Sequence, residues 1–96
     1  MVKVMIETEC RPGKEEQLRD LLIELRSAAV KQKGYICGET LREVDNPSVF
    51  FIISTWINLE PWRVWQTSEQ RLSMENMISS LTTLRKTRIF IVDYEG

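Results

Sequence analysis

The sequence predicts one α+β domain: a ferredoxin-like βαββαβ unit with a four-stranded antiparallel sheet and its helices on one face. Three observations predict it. Two long stretches carry the i, i+3, i+4 apolar spacing of helices, and four carry strand patterning. The second and third strands flank a dense turn, as a hairpin requires. At 96 residues, with no repeat, linker or low-complexity segment, the chain reads as a single domain over residues 1–96.

Met1 to Glu9 alternates Val2, Val4 and Ile6 with Lys3, Met5 and Glu7, the period of a half-buried strand. Arg11-Pro12-Gly13 ends it. Lys14 to Lys33 reads as a helix, with Leu18, Leu21, Leu22, Leu25 and Ala29 on one stripe. Glu15 and Glu16 suit its positive N-terminal end, Lys31 and Lys33 suit its negative end, and Gly34 stops it. Tyr35 to Val44 and Val49 to Ile57 form strands two and three around the turn Asp45-Asn46-Pro47-Ser48. Asn58 is placed to cap a short helix starting near Leu59, with Pro61 in its first turn. Ser68 caps a longer helix expected to reach Leu84, with Met74, Met77, Ile78 and Leu81 as its stripe. Arg85 to Tyr94 is the fourth strand.

Strands three and four are apolar on both sides. Phe50 and Ile52 oppose Val49, Phe51 and Ile53, and Ile89 and Ile91 oppose Phe90 and Val92. Right-handed crossovers put the helices on the same face of the sheet. The other face would then hold aliphatic and aromatic side chains in water, and such a patch marks an interface. A chain this short also buries only about two-thirds of its unfolded surface, so association would complete its core. The expected partner is a second copy, docked through the open sheet face. An acidic residue at Phe90 or Ile91 is expected to break that dimer by burying an unpaired charge.

Composition excludes much. Thirteen Lys plus Arg against fourteen Asp plus Glu leave no basic field for nucleic acid. The longest apolar run, Val49 to Ile53, is far below the roughly 18 residues of a membrane span. No leader is visible at the start, so the expected compartment is the cytoplasm, with Cys10 and Cys37 as free, buried, inert thiols. Histidine is absent. Ser-His-Asp and Cys-His nucleophile systems are therefore closed to this chain, as are His-ligated haem and His-rich metal sites.

The run Gly34-Tyr35-Ile36-Cys37-Gly38-Glu39-Thr40-Leu41-Arg42-Glu43, the turn Asp45-Asn46-Pro47 and the run Ser54-Thr55-Trp56-Ile57-Asn58-Leu59-Glu60-Pro61-Trp62-Arg63-Val64-Trp65 together resemble the antibiotic biosynthesis monooxygenase (ABM) family. Arg11-Pro12-Gly13-Lys14 resembles that family's turn into its first helix. The resemblance implies a dimeric α+β barrel with a ligand cavity between sheet and helices in each protomer. It implies oxygenation of an aromatic or quinol-like substrate by dioxygen, with no metal, flavin or other cofactor. The family's haem-degrading group carries a histidine that falls near Glu75 here, which closes the haem route. Its quinol oxygenases carry an amide four positions before the strand tryptophan, where this chain has Ile52.

The candidate site residues follow. Trp56 could stack on a flat substrate or be a core aromatic. Trp62 and Trp65 could form a stacking box or simply anchor their helix at i and i+3. Tyr35 could donate a hydrogen bond to the substrate or be an ordinary strand-end tyrosine. Asn58 could orient a substrate oxygen, or act only as a helix cap. Arg88 could stabilise an enolate-like charge, as could Arg42 from strand two; a surface arginine is the plain alternative. Tyr94 could likewise donate to a substrate, or be an ordinary strand-end tyrosine. The catalytic assignment is thus Asn58 and Arg88, and the substrate-binding assignment is Trp56, Trp62, Trp65 and Tyr35. The expected function is a cofactor-independent monooxygenase of a small aromatic substrate. Its rival is a non-catalytic ligand-binding or assembly domain of the same fold.

Overall fold

Successive side chains of a strand point to opposite faces, so burial along the first strand shows which face holds the core. In the computed structural model, which describes residues 1–96, that strand is β1 (Val2–Cys10). Val4, Ile6, Thr8 and Cys10 are buried, whereas Lys3 and Glu9 are exposed and Met5 and Glu7 only half-buried. The chain continues as α1 (Glu15–Ala29), β2 (Tyr35–Arg42), β3 (Val49–Trp56), α2 (Leu59–Gln66), α3 (Glu69–Ser79) and β4 (Thr82–Ile91). The sheet is antiparallel throughout, in the order β2-β3-β1-β4. No helix is long and apolar enough to cross a membrane.

The predicted element order is present, with the second crossover made of two helices. Leu18, Leu22, Leu25 and Ala29 of α1 bury against the sheet with Val4, Ile6, Phe50 and Trp56. Asn58 caps α2 by accepting from the Glu60 amide at 3.2 Å, and Ser68 caps α3 by accepting from the Arg71 amide at 3.2 Å. Strand β2 stops at Arg42 rather than Val44, β4 spans Thr82–Ile91 rather than Arg85 to Tyr94, and both long helices end earlier than expected. The helix of α1 ends at Ala29 rather than Lys33, and turns carry the chain to Gly34. The helix of α3 ends at Ser79, well short of Leu84. There the Ser79 and Ser80 hydroxyls bond back to the carbonyls of Asn76 and Met77 at 3.0 and 2.7 Å, and the β-branched pair Thr82-Thr83 favours a strand. Met77 is accordingly 46 % exposed and drops out of the apolar stripe.

Register sorts the two apolar sides of β3 and β4. Val4 pairs with Ser54 and Ile89, and Ile6 with Ile52 and Thr87, which puts those residues on the helix side. Met5 pairs with Ile53 and Arg88, Glu7 with Phe51, and Lys3 with Phe90, so these face away from the helices. Phe90 is therefore on the open face. Ile91 pairs with Val2 on the helix side, which corrects the expectation that either residue reports on an interface. Cys37 is corrected too: it pairs with Thr55 on the open face and is exposed, while Cys10 is buried.

Gly34 sets where α2 lies. Its φ is +89°, its carbonyl accepts from the Ile57 amide at 2.8 Å, and a Cβ there would sit 2.5 Å from the Pro61 ring. Gly13 has a similar φ of +81° with nothing within 4 Å of its missing Cβ. Alanine at Gly13 should cost only the left-handed penalty of about 1–2 kcal/mol. Alanine at Gly34 should cost more, because the backbone strain is joined by displacement of α2. Urea midpoints of the two variants make the comparison; equal losses would show that the contact with Pro61 carries no energy.

Candidate functional site

The helix side of the β2–β3 hairpin supplies the floor of an internal cavity. Alternation brings Ile52, Ser54 and Trp56 of β3 to that side, with Gly38 and Tyr35 opposite Ser54 and Trp56 on β2. Helix α1 contributes Leu22, Leu25, Arg26 and Ala29. Trp62 and Trp65 stand three apart on α2, which puts both on one face, and each is 2 % exposed. Arg71 of α3 completes the lining. A side chain at position 38 would close this space: a Cβ would lie 2.6 Å from the Tyr35 hydroxyl and 2.7 Å from the Ile53 carbonyl.

The aromatic residues form one stack of edges. Tyr35 meets Trp56 at 5.3 Å between centroids and 88°, and Trp56 meets Trp62 at 5.7 Å and 64°, both edge-to-face. The Trp56 Nε1–H donates to the Ser54 hydroxyl at 2.9 Å. The Trp62 Nε1–H is buried and has no acceptor. The Arg71 guanidinium lies 5.1 Å from the Trp62 ring centroid, in cation–π geometry.

Behind Trp62 runs a charged relay. Glu75 takes Arg71 Nη2 at 3.0 Å and Arg85 through Nε at 3.0 Å and Nη2 at 2.6 Å. Arg85 Nη1 donates onward to the Thr8 hydroxyl at 2.7 Å. Two guanidinium groups share one carboxylate, so the relay carries net positive charge. Burial pushes the Arg71 guanidinium below its usual range; Glu75 opposes that and the Arg85 charge adds to it. The polar side of the cavity is thus rich in donors: an orphaned indole N–H, a hydroxyl and a surplus cation. Glu39 is the only carboxylate among the lining residues.

The space the cavity leaves for a water-sized molecule is about 50 Å³. An apolar cavity of about 150 Å³ is what accommodates benzene, so this one as it stands holds little more than water. Admission of a ring requires the walls to move.

The sequence profile of the antibiotic biosynthesis monooxygenase family matches residues 1–75. The chain belongs to that family. Solved structures agree in fold. A Deinococcus radiodurans protein provisionally named an antibiotic biosynthesis monooxygenase superposes with a TM-score of 0.93 at 18% identity, over 100% of this chain and 96% of its own. A variant of SnoaB, a cofactor-independent oxygenase of Streptomyces nogalater, superposes at 0.91 with 16% identity, over 98% of this chain and 94% of its own. A conserved protein of Methanosarcina mazei gives 0.87 at 17% identity, over 93% and 89%. At such identities the likeness shows the fold alone. No curated protein sequence matches the chain.

Within this ABM domain the four aromatic candidates Trp56, Trp62, Trp65 and Tyr35 come together on one cavity. Asn58 does not join them. Its side chain caps α2 and lines an open groove of about 520 Å³ with Gly34 and Pro61. Arg88 is opposite Met5 on the open face, across the sheet from the cavity. The residues expected to carry the chemistry therefore stand outside the space where a ring would bind. Arg42 lies over the Phe50 ring at 5.0 Å, and Tyr94 is exposed beyond β4. Ile52 lines the cavity where the resemblance places an amide, and Glu75 occupies the region of the haem group's histidine as an ion-pair acceptor.

Ser54, Arg71 and Arg85 are the polar residues that sequence reasoning missed. Arg71 and Glu75 are spaced as an i, i+4 pair, which on sequence alone reads as a solvated helix face. Only the docking of Arg85 from β4 turns that pair inward. The Cys10 thiol is pushed up mainly by burial and also by Glu15, with Arg42 opposing, so it stays protonated and inert.

Proposed function

We propose that this ABM-family protein oxygenates a small electron-rich aromatic molecule with dioxygen, using no cofactor, inside the cavity walled by Trp56, Trp62, Trp65 and Tyr35. The observation that carries the reading is that indole-lined cavity with its donor-rich polar side. A phenol or quinol bound there as its anion adds dioxygen at an electron-rich ring carbon and takes up a proton to form a hydroperoxide, whose loss of water leaves one oxygen atom on the ring as a carbonyl. The protein contributes orientation, exclusion of water and stabilisation of the phenolate oxygen. Arg71 and the Trp62 Nε1–H are the groups available for that oxygen. No histidine is available as a base, so the ligand arrives ionised or loses its proton to solvent as the walls open.

Oxygen uptake with a panel of hydroquinones tests this. Consumption that scales with protein and falls at least tenfold in Trp62→Ala would support it. No uptake by folded protein with any member would defeat it. A second reading, a binding domain without catalysis, is favoured by the small cavity volume and by the aliphatic Ile52 at the expected amide position. Saturable quenching of tryptophan fluorescence without oxygen uptake would select it.

We further infer that two copies pair through the open face, where Met5, Phe51, Ile53 and Phe90 lie together. Phe90 is 45 % exposed in the single chain, a large cost for an aromatic side chain left in water. Phe90→Asp should convert a species of twice the chain mass into monomer by light scattering. Ile91→Asp, on the other side of the sheet, should leave the mass unchanged. A wild-type protein that is monomeric at micromolar concentration would contradict the pairing.

A further inference from the structure

We propose that the cavity's ligand carries an anionic oxygen group, a carboxylate or a phosphate, and enters between α1 and β2 with that group held by Arg19, Arg26 and Arg42. The proposal rests on the reading that an aromatic body occupies the cavity.

A groove of about 240 Å³ runs along this side of the molecule, and Arg19, Arg26, Arg42 and Phe50 are among its lining residues. It adjoins the cavity: Leu22, Arg26 and Thr40 line both spaces. No carboxylate lines it. Both ion pairs of the protein are made to Glu75, so none of these three arginines is paired. Arg19 makes no hydrogen bond with its side chain. Arg26 reaches only the Gly38 carbonyl, at 3.4 Å. Arg42 is held more firmly, donating to the Pro47 carbonyl and lying over Phe50.

Glu39 lines the adjoining cavity but makes no ion pair with these arginines, and Glu15, one helical turn before Arg19, is engaged elsewhere. Its carboxylate accepts from the Ser48 hydroxyl at 2.9 Å. Hydrogen bonding to its own backbone amide and to Ser48 holds it below the usual carboxylate range, and Arg42 adds to that at longer reach.

Three unpaired cations around one groove repel each other, in a chain whose formal net charge is −1. Arg19 and Arg26 stand seven residues apart on one helix, about 10 Å along its axis. Guanidinium forks match the geometry of carboxylate and phosphate oxygens. The apolar floor made by Leu22 and Phe50 accepts the part of a ligand that joins such a head to a ring inside the cavity. Arg26 sits where the two spaces meet, so it is the residue that would grip the head of a ligand whose ring is already enclosed.

Calorimetric titration of the full chain with 2-naphthoate, 2-naphthyl phosphate and the neutral 2-acetylnaphthalene tests this. The expected result is that at least one anionic probe binds roughly tenfold or more tighter than the ketone, the range for a charge-assisted contact. That preference should shrink at least threefold in Arg26→Gln and in Arg19→Gln, and weaken between 25 and 300 mM salt. Both substitutions are at exposed positions, and circular dichroism verifies the fold. Whether naphthoate or naphthyl phosphate binds tighter identifies the head group. Equal affinity for all three probes, or a preference that survives both substitutions, would overturn the proposal while leaving the aromatic cavity intact. No binding by any probe would overturn both.

Discussion

Replacing Glu75 with Gln is expected to lower stability by about 3 kcal/mol or more, the cost of leaving buried charge without its counter-ion. The Arg71 and Arg85 side chains are 9% and 13% exposed, and Glu75 itself is 21% exposed. The carboxylate is the only anion either guanidinium has, and Arg85 approaches it through two nitrogens. Gln keeps the shape but removes the charge, leaving two cations beside each other under Trp62. For a domain of this size that loss corresponds to a fall of roughly 12 °C or more in Tm. Adding Arg71→Met to Glu75→Gln should recover part of it, since one of the two stranded cations is then gone. Differential scanning calorimetry measures both. A loss below about 1 kcal/mol for Glu75→Gln would mean that the triad behaves as a solvated surface pair.

Trp56→Ala should be at least as costly, at about 3–5 kcal/mol. Trp56 is fully buried, touches Tyr35 and Trp62 edge-on, and bonds Ser54 through Nε1. Truncation removes those contacts and merges the indole's volume with the existing cavity. The enlarged space then meets the size at which an apolar protein cavity takes a benzene-like guest. Added indole should therefore raise the Tm of Trp56→Ala in a concentration-dependent way, as a ligand of the native state must. It should leave the wild-type Tm almost unmoved at the same concentration, because the 50 Å³ cavity has no room without rearrangement. A variant that loses stability but gains nothing from indole would show that the surrounding helices collapse into the hole.

Strand and helix order was legible because each element advertises its own period. The alternation in Val2 to Glu7 and the stripe from Leu18 to Ala29 are local facts, and so are the caps Asn58 and Ser68. The aromatic cavity was legible for a related reason. Trp62 and Trp65 share a helix face, and Trp56 ends a strand whose alternate residues face the helices. The polar half of the site was not legible. It depends on Arg85 being on the helix side of β4 while Arg88, three residues on, is on the other. That parity is fixed by pairing with β1, with Thr8 opposite Arg85 and Met5 opposite Arg88. Starting β4 at Thr82 rather than Arg85 leaves the parity unchanged, but nothing in the sequence alone says which side faces the helices. Asn58 shows the opposite case: the capping role, read directly from the sequence, accounts for its side chain.

A planar ligand is expected between the sheet and the helices, against Trp56 and Trp62. A crystal structure of the protein with a naphthohydroquinone, prepared without oxygen, measures this most directly. The predicted result is a ring edge- or face-on to Trp56 and Trp62, an oxygen within hydrogen-bonding distance of the Trp62 Nε1–H or Arg71, and α2 displaced outward to make room. A ring bound only in the open groove beside Asn58 and Pro61, with the tryptophans unmoved, would contradict it.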